Sequence, residues 1–166
     1  MDNQTLLFQE LEKVLGAKNV PYEFYPRSEE QPFPLLVAQF SLSEQLVFNI
    51  SFIFIPTGLG AEGKTELLQV YTEIGSQKVT NPQIKRFLNS INSNTPLGSF
   101  GVNEEDGIYF RYMLMVPKKA TPELYGTFED FIQLFLFTVS HFGPTLDQLN
   151  QGIITAAAAL KQLQSE

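Results

Sequence analysis

A phosphate-binding loop template occurs in this sequence at residues 58–65, which read GLGAEGKT. Gly58, Gly63, Lys64 and Thr65 supply the fixed positions of the pattern G-x-x-x-x-G-K-[ST]. In nucleotide-binding proteins this loop joins a parallel strand to a helix, and the first amides of the helix hold the phosphates. The spacing therefore raises the hypothesis of a nucleotide-binding or hydrolysing protein that uses Lys64 and Thr65.

The residues that follow the loop argue against this hypothesis. The segment ELLQVYTEIG, residues 66–75, alternates with period two and is rich in β-forming residues, which predicts a strand rather than a helix. No apolar strand ends in an aspartate that could support magnesium, and the β-α-β-α alternation of a nucleotide-binding sheet is absent. We therefore interpret Gly58, Gly60 and Gly63 as a hairpin loop and keep nucleotide binding as an alternative.

Other chemistry has few candidate residues. The chain has no cysteine and one histidine, His141, which lies before Gly143-Pro144 and suggests a structural or capping role near a helix end. Glu104, Glu105 and Asp106 occupy a predicted turn, where acids are usually solvated. We predict no catalytic residue, no metal site and no cofactor, and hence a protein that is not an enzyme.

Five residues are candidates for binding a partner. In the strand IYFRYMLMVP, side chains predicted to face the core alternate with side chains that face the other way. The strand at residues 68–74 is predicted to alternate in the same manner. Methionine and tyrosine surfaces adapt to varied apolar ligands. Either this face is exposed for a partner, or a helix of the same chain covers it, and the arginine either pairs with a neighbouring acid or contacts an acidic partner. The candidates are Tyr71, Tyr109, Arg111, Met113 and Met115.

Composition limits the partners. The chain has 166 residues, consistent with one domain, and a net charge of -7 with 11 scattered basic residues. Such an acidic chain repels a phosphate backbone, so nucleic acid is an unexpected partner, whereas cationic protein surfaces are easier targets. No apolar run reaches a membrane span, the first residues lack the features of a signal peptide, and the absence of cysteine fits the cytoplasm.

Hydrophobic periodicity predicts an α+β fold with an antiparallel sheet and a long C-terminal helix packed on it, in the order α-β-β-β(-β)-α-β-β-α. We expect a single domain over residues 1–166. Its predicted parts are an N-terminal helix at 1–16 closed by Gly16, meander strands at 22–75, a helix at 81–93, a hairpin at 98–117, and C-terminal helices at 122–164 that break near 143–144.

The C-terminal helices suggest a homodimer. Residues 128–142 are apolar nearly all round, which favours burial on more than one face. Beyond Gly143-Pro144, leucine, isoleucine and alanine recur at spacings of three and four as a short seam through Ala156 and Leu163. The candidate dimer interface consists of Phe137, Leu146, Leu149, Ile153 and Leu160.

The order of elements resembles the type III secretion chaperone-like fold, including the YbjN-type bacterial proteins. The segment GIYFRYMLMVP followed by TFEDFIQLFLFTVSHFGPTL is similar to the family's aromatic-Arg-aromatic strand and its helix with a late aromatic residue and proline. The glycine loop at 58–63 and the seam at 146–163 look like additions to the family's pattern.

This resemblance implies a fold whose members commonly dimerise and bind extended segments of other proteins, and it carries over no catalytic residue. The leading hypothesis is a non-enzymatic, cytoplasmic, chaperone-like or regulatory module that binds protein, as a homodimer. The alternatives are nucleotide binding and a small-ligand sensor with an apolar cavity between the sheet and the long helix.

Overall fold

The structure, a computed structural model, describes residues 3–43, 46–55, 64–95 and 97–164 of the chain. Four helices and six strands alternate in the predicted α+β order, which confirms the fold class. The elements are α1 (Asn3–Ala17), β1 (Tyr22–Tyr25), β2 (Leu35–Ser43), β3 (Leu46–Ile55), β4 (Thr65–Lys78), α2 (Ile84–Asn92), β5 (Ser99–Val102), β6 (Gly107–Pro117), α3 (Pro122–Asn150) and α4 (Ala156–Gln164).

The six strands form one antiparallel sheet with the order β1-β2-β3-β4-β6-β5. The register is set by apolar alternation, because a slip of one residue would turn every buried side chain to the other face. Leu36 lies opposite Phe52 and Phe40 opposite Phe48, and all four are buried. On the last pair of strands, Phe100 lies opposite Phe110.

The chain divides into two compact units. Unit 1 contains Met1–Tyr71 and Met113–Gln133. Its core includes Phe8, whose ring meets Phe24 and Phe54 edge-on at centroid distances of 5.2 and 4.8 Å. Edge-to-face pairs of this kind stabilise by about 0.5–1.5 kcal/mol beyond the burial of their area.

Unit 2 contains Thr72–Tyr112 and Leu134–Glu166. Phe110 is at the centre of its core, with ring centroids 4.5 Å from Phe100 and 4.9 Å from Phe135. Phe100 in turn meets Phe142 at 5.5 Å. Phenylalanine thus fills the cores of both units in a chain that has no tryptophan.

The predicted break at 143–144 is wrong, because α3 runs through Pro144 to Asn150. A proline inside a helix removes one hydrogen bond and costs about 3 kcal/mol. Val139, Leu146 and Leu149 are all fully buried, so burial on both sides of the proline outweighs this cost.

The helix ends instead at a Schellman motif centred on Gly152, which has a φ of 72°. The amide of Gly152 donates to the carbonyl of Leu149 at 3.1 Å. The amide of Ile153 donates to the carbonyl of Gln148 at 2.9 Å.

The end of α1 also differs from the prediction. Gly16 lies inside the helix, and the left-handed residue after the helix is Asn19, with a φ of 54°. The amide of Asn19 bonds the carbonyl of Gly16 at 3.0 Å, and that of Val20 bonds Leu15 at 3.0 Å. Asparagine tolerates this conformation because its short polar side chain can bond locally.

Candidate functional site

One face of the sheet is left open in unit 1. Along β2, β3 and β4 the even-numbered side chains from Leu36 to Val70 are buried wherever their burial is described. The odd-numbered side chains point to the opposite side, because successive strand residues alternate. We call the apolar part of this second side the open face; it comprises Leu35, Val37, Val47, Ile53, Ile55, Leu67, Tyr71, Met113 and Met115.

Met113 and Met115 of β6 are exposed, and Val47 is the other member of the open face that is exposed rather than half-buried. Met113 is 37% exposed and Met115 is 66% exposed, whereas Val116 beside them is fully buried. Methionine is unbranched and polarisable, so it can repack against partners of different shape. This arrangement suits an adaptable apolar contact rather than a shaped catalytic pocket.

The side chains of the open face are only partly covered by the rest of the described chain. Every member of the open face is half-buried or exposed, and none belongs to the buried class. The exposure of this face to a partner stays a prediction. Tyr71, Met113 and Met115 are brought to one side of unit 1.

Tyr109 and Arg111, the other two candidates, belong to unit 2. Tyr109 lies opposite Gly101 in the β5–β6 register, with its ring against the glycine. A Cβ at Gly101 would lie 2.5 Å from both Cζ and Oη of Tyr109, so the ring occupies the space that a side chain would need. Tyr109 therefore packs within the hairpin, and its contact with a partner stays a prediction.

Arg111 is exposed on β6. Within the described residues no carboxylate forms an ion pair with its guanidinium, so the expected pairing with a neighbouring acid is not found. Its charge is directed to solvent in a chain that is otherwise acidic.

The turn that precedes β6 is held by Asn103. Its Oδ1 accepts bonds from the amides of Gly107 at 2.7 Å and Glu105 at 3.1 Å, and its Nδ2 donates to Glu73 Oε1 at 3.0 Å. The amide of Asp106 donates to the carbonyl of Asn103 at 3.1 Å, so Glu104 and Glu105 are the central residues of the turn, and Asp106 follows them with a φ of 63°. Asn103 thereby ties the start of β6 to β4 within unit 2.

Glu66 is a buried acid that the sequence interpretation missed. Its Oε2 accepts a bond from Gln4 Nε2 at 3.4 Å, and its Oε1 lies 3.9 Å from Lys118 Nζ. Period-two alternation places Glu66 on the same side as Leu68 and Val70, which was the available signal for its burial. The cluster joins α1, β4 and the end of β6 in unit 1 and is a structural contact.

The candidate dimer interface is only partly accessible, which corrects the seam proposed from the sequence. Leu146 and Leu149 are fully buried within the chain and cannot contact a second copy. Because α3 ends at Asn150, Ile153 lies in the turn before α4 rather than on a continuous helix. Phe137 and Ile153 are 64% and 65% exposed, and Leu160 is exposed as well.

His141 lies in the interior of α3 rather than near its end. Its ring stacks on Phe137, with centroids 5.9 Å apart and planes 8° from parallel, and meets Phe142 edge-on at 4.7 Å. Among the described residues, no group of three or more His, Cys, Asp or Glu could hold a metal ion.

The loop of the phosphate-binding template, with Gly58, Gly60 and Gly63, lies outside the described residues. Lys64 is exposed, and the residue after it, Thr65, begins β4. The predicted strand is confirmed, so these two residues do not begin a helix that could present its amides to phosphates.

No helix in the described part of the chain is both long and apolar enough to cross a membrane.

Comparison with known proteins gives one family. A family model named YbjN, described as "Putative bacterial sensory transduction regulator", matches residues 49–148. The match begins within β3 and ends within α3, so it includes Tyr71 and the whole of β6. A search of curated proteins found no match.

Proposed function

The chain belongs to the YbjN family, and from this premise we propose that it is a non-enzymatic regulator that acts by binding another protein. The observation that carries the proposal is the open face of unit 1, where Met113 and Met115 are left exposed. Exposed apolar patches on soluble domains often mark interaction sites. The family's description as a regulator agrees with a role exerted through protein contact.

The surface charge of the chain adds to this proposal. With a net charge of -7, the protein favours partners whose own surface is cationic. We propose an apolar contact at the open face, surrounded by complementary charge, and we retain Tyr109 and Arg111 as candidate contacts in unit 2. The exposed guanidinium of Arg111 would meet an acid of the partner.

We further propose that the protein is a homodimer through the accessible part of the predicted interface. Phe137, Ile153 and Leu160 are exposed apolar residues of unit 2. Met113 and Met115 are different residues and belong to unit 1, so self-association and partner binding can be tested with different variants.

The test of partner binding uses the double variant Met113→Lys/Met115→Lys in a native pull-down, followed by reconstitution with the purified partner. We expect the wild type to hold a stoichiometric protein partner. The variant should bind it at least about tenfold more weakly, because two charges would have to be desolvated in an apolar contact.

Leu6→Lys is the matched control, since Leu6 is exposed to the same degree as Met113 but lies on α1. It should bind the partner as the wild type does. Equal binding by the double variant would remove the open face from the proposal, and a wild-type protein with no stoichiometric partner would contradict the function itself.

A further inference from the structure

Strand β1 lies at one end of the sheet order, so one of its two sides has no neighbouring strand among the described residues. Its four residues, Tyr22–Tyr25, pair with β2 in an antiparallel register in which Glu23 lies opposite Val37. All four are exposed. An edge of this kind presents unpaired backbone groups to solvent.

The register shows which backbone groups those are. The carbonyl of Pro21 accepts a bond from the amide of Gln39 at 2.9 Å, so residues 21 and 39 form a hydrogen-bonded pair. In an antiparallel ladder such pairs alternate with pairs that do not exchange bonds. Glu23 therefore bonds towards β2, whereas the amides and carbonyls of Tyr22 and Phe24 point away from the sheet.

The side chains of β1 offer an aromatic contact at this edge. Tyr22, Phe24 and Tyr25 are each exposed by about two fifths of their surface. Phe24 is anchored by its edge-on contact with Phe8, so its ring is held in place before any partner arrives. Aromatic residues pay little conformational entropy when they form contacts.

Glu23 gives the edge a charge. It accepts a bond from the hydroxyl of Tyr25 at 2.6 Å, and this bond raises the pKa of Tyr25. The exposed segment that follows β1 adds Glu29 and Glu30 against a single Arg27. An occupant with a basic residue opposite Glu23 is therefore favoured over an acidic one.

A second copy of the chain fits the edge poorly. Pairing of β1 with β1 of another copy, with Tyr22 opposite Phe24, would place the two Glu23 side chains directly opposite each other, which is destabilising. Registers shifted by two residues bring either Pro26, which has no amide to donate, or Val20, whose amide already bonds the carbonyl of Leu15, into the hydrogen-bonded positions of the new ladder. The occupant must be a different sequence.

We propose that β1 is a docking edge for an extended basic segment of a partner protein, which pairs as a strand with Tyr22 and Phe24 and places a lysine or arginine against Glu23. This edge lies outside residues 49–148 matched by the family model. It is also separate from Met113 and Met115, so the inference does not rest on the proposed function.

The test uses two synthetic peptides, TKVKVKT and TEVEVET, titrated to about 1 mM against the isotope-labelled protein in NMR spectra. The amides of Tyr22 and Phe24 should shift with the basic peptide. We expect the basic peptide to bind about fivefold more tightly than the acidic one, and Glu23→Lys should reverse this preference. Methylation of the valine amides should abolish binding, since those groups would form the new ladder.

Glu104→Lys provides the control for net charge, because Glu104 is also exposed but lies in the turn before β6. It should keep the wild-type preference, and Met113→Lys/Met115→Lys should bind the peptide as the wild type does. The inference is overturned if the basic peptide does not bind, if Glu23→Lys leaves the preference unchanged, or if the methylated peptide binds equally. Any of these outcomes leaves the open-face proposal intact.

Discussion

At the scale of single residues, Asn150 secures the end of α3 to the segment after β4. Its Nδ2 donates to the carbonyl of Lys78 at 3.1 Å, and its Oδ1 accepts from the amide of Thr80 at 3.2 Å. The hydroxyl of Thr80 donates to the carbonyl of Asn150 at 3.3 Å, and Asn81 Nδ2 donates to that of Leu149 at 2.9 Å. The buried side chain of Asn150 thus supplies hydrogen-bond partners to part-buried backbone groups on both sides of Val79.

Asn150→Ala should therefore destabilise the protein. Truncation leaves the part-buried carbonyl of Lys78 and the part-buried amide of Thr80 without their partners, at a cost of about 1–3 kcal/mol. Thermal unfolding should shift down by about 3–8 °C for a chain of this length. Asn89→Ala, at an exposed position of α2, should change the midpoint little. Equal midpoints for the two variants would show that these bonds add nothing to stability.

For single residues, the face of the strand on which a side chain lies could be predicted from hydrophobic alternation. The opposed faces of β4 and β6, and with them Tyr71, Met113 and Met115, follow from period two alone. The contacts of Glu66 could not be predicted, because Gln4 and Lys118 are distant in sequence and meet only when α1 and β6 are placed beside β4.

At the scale of elements, α3 shows how burial can outweigh a local breaker. Pro144 leaves the carbonyl of Ser140 without its usual helical donor, yet Thr145 and Leu146, which follow it, are buried. The energy that holds the helix together at this point comes from its packing, because intrinsic propensity opposes it.

Pro144→Ala should stabilise the protein by about 1–2 kcal/mol, since alanine restores the donor and is the best helix former. Calorimetry should show a higher midpoint, by about 3–6 °C. Pro122→Ala is the control: Pro122 is the first residue of α3, where the amide has no helical partner, so its effect should be small. A lower midpoint for Pro144→Ala would mean that the packing of the proline ring matters more than the missing bond.

The existence of the helices was predictable from their apolar spacing, but their ends were not. Gly16 and Gly143 were available as stop signals, yet the left-handed positions are Asn19 and Gly152. A glycine permits this conformation without requiring it, so tertiary packing selects which residue adopts it.

At the scale of the whole molecule, charge opposes self-association. Each copy carries a net charge of -7, so two copies repel at long range, while the proposed contact through Phe137, Ile153 and Leu160 is apolar. Salt shortens the range of the repulsion from about 30 Å at 0.01 M to about 10 Å at 0.1 M and leaves apolar contacts in place.

The proportion of dimer should consequently rise between about 10 mM and about 150 mM sodium chloride, as measured by sedimentation equilibrium. Phe137→Lys should shift the protein to monomer, whereas Leu6→Lys, with the same change in charge at another exposed apolar residue, should not. A monomer at every salt concentration contradicts the homodimer. A dimer that persists in Phe137→Lys places the interface elsewhere.

The order of elements along the chain could be predicted from periodicity, whereas the sheet order could only be seen in the structure. β4 neighbours β6, so α2 and β5 come between two paired strands in sequence. Hydrophobic alternation predicts that a segment is a strand, and it predicts which side of the strand is buried. It does not predict which other strand pairs with it.

The contact between Gly101 and Tyr109 couples the substitutions that these two positions can accept during evolution. While the tyrosine ring occupies the space above residue 101, a side chain there would require the ring to move aside. A smaller residue at 109 would remove that requirement. Substitutions at positions 101 and 109 should therefore be coupled, and related sequences should carry them as pairs more often than singly.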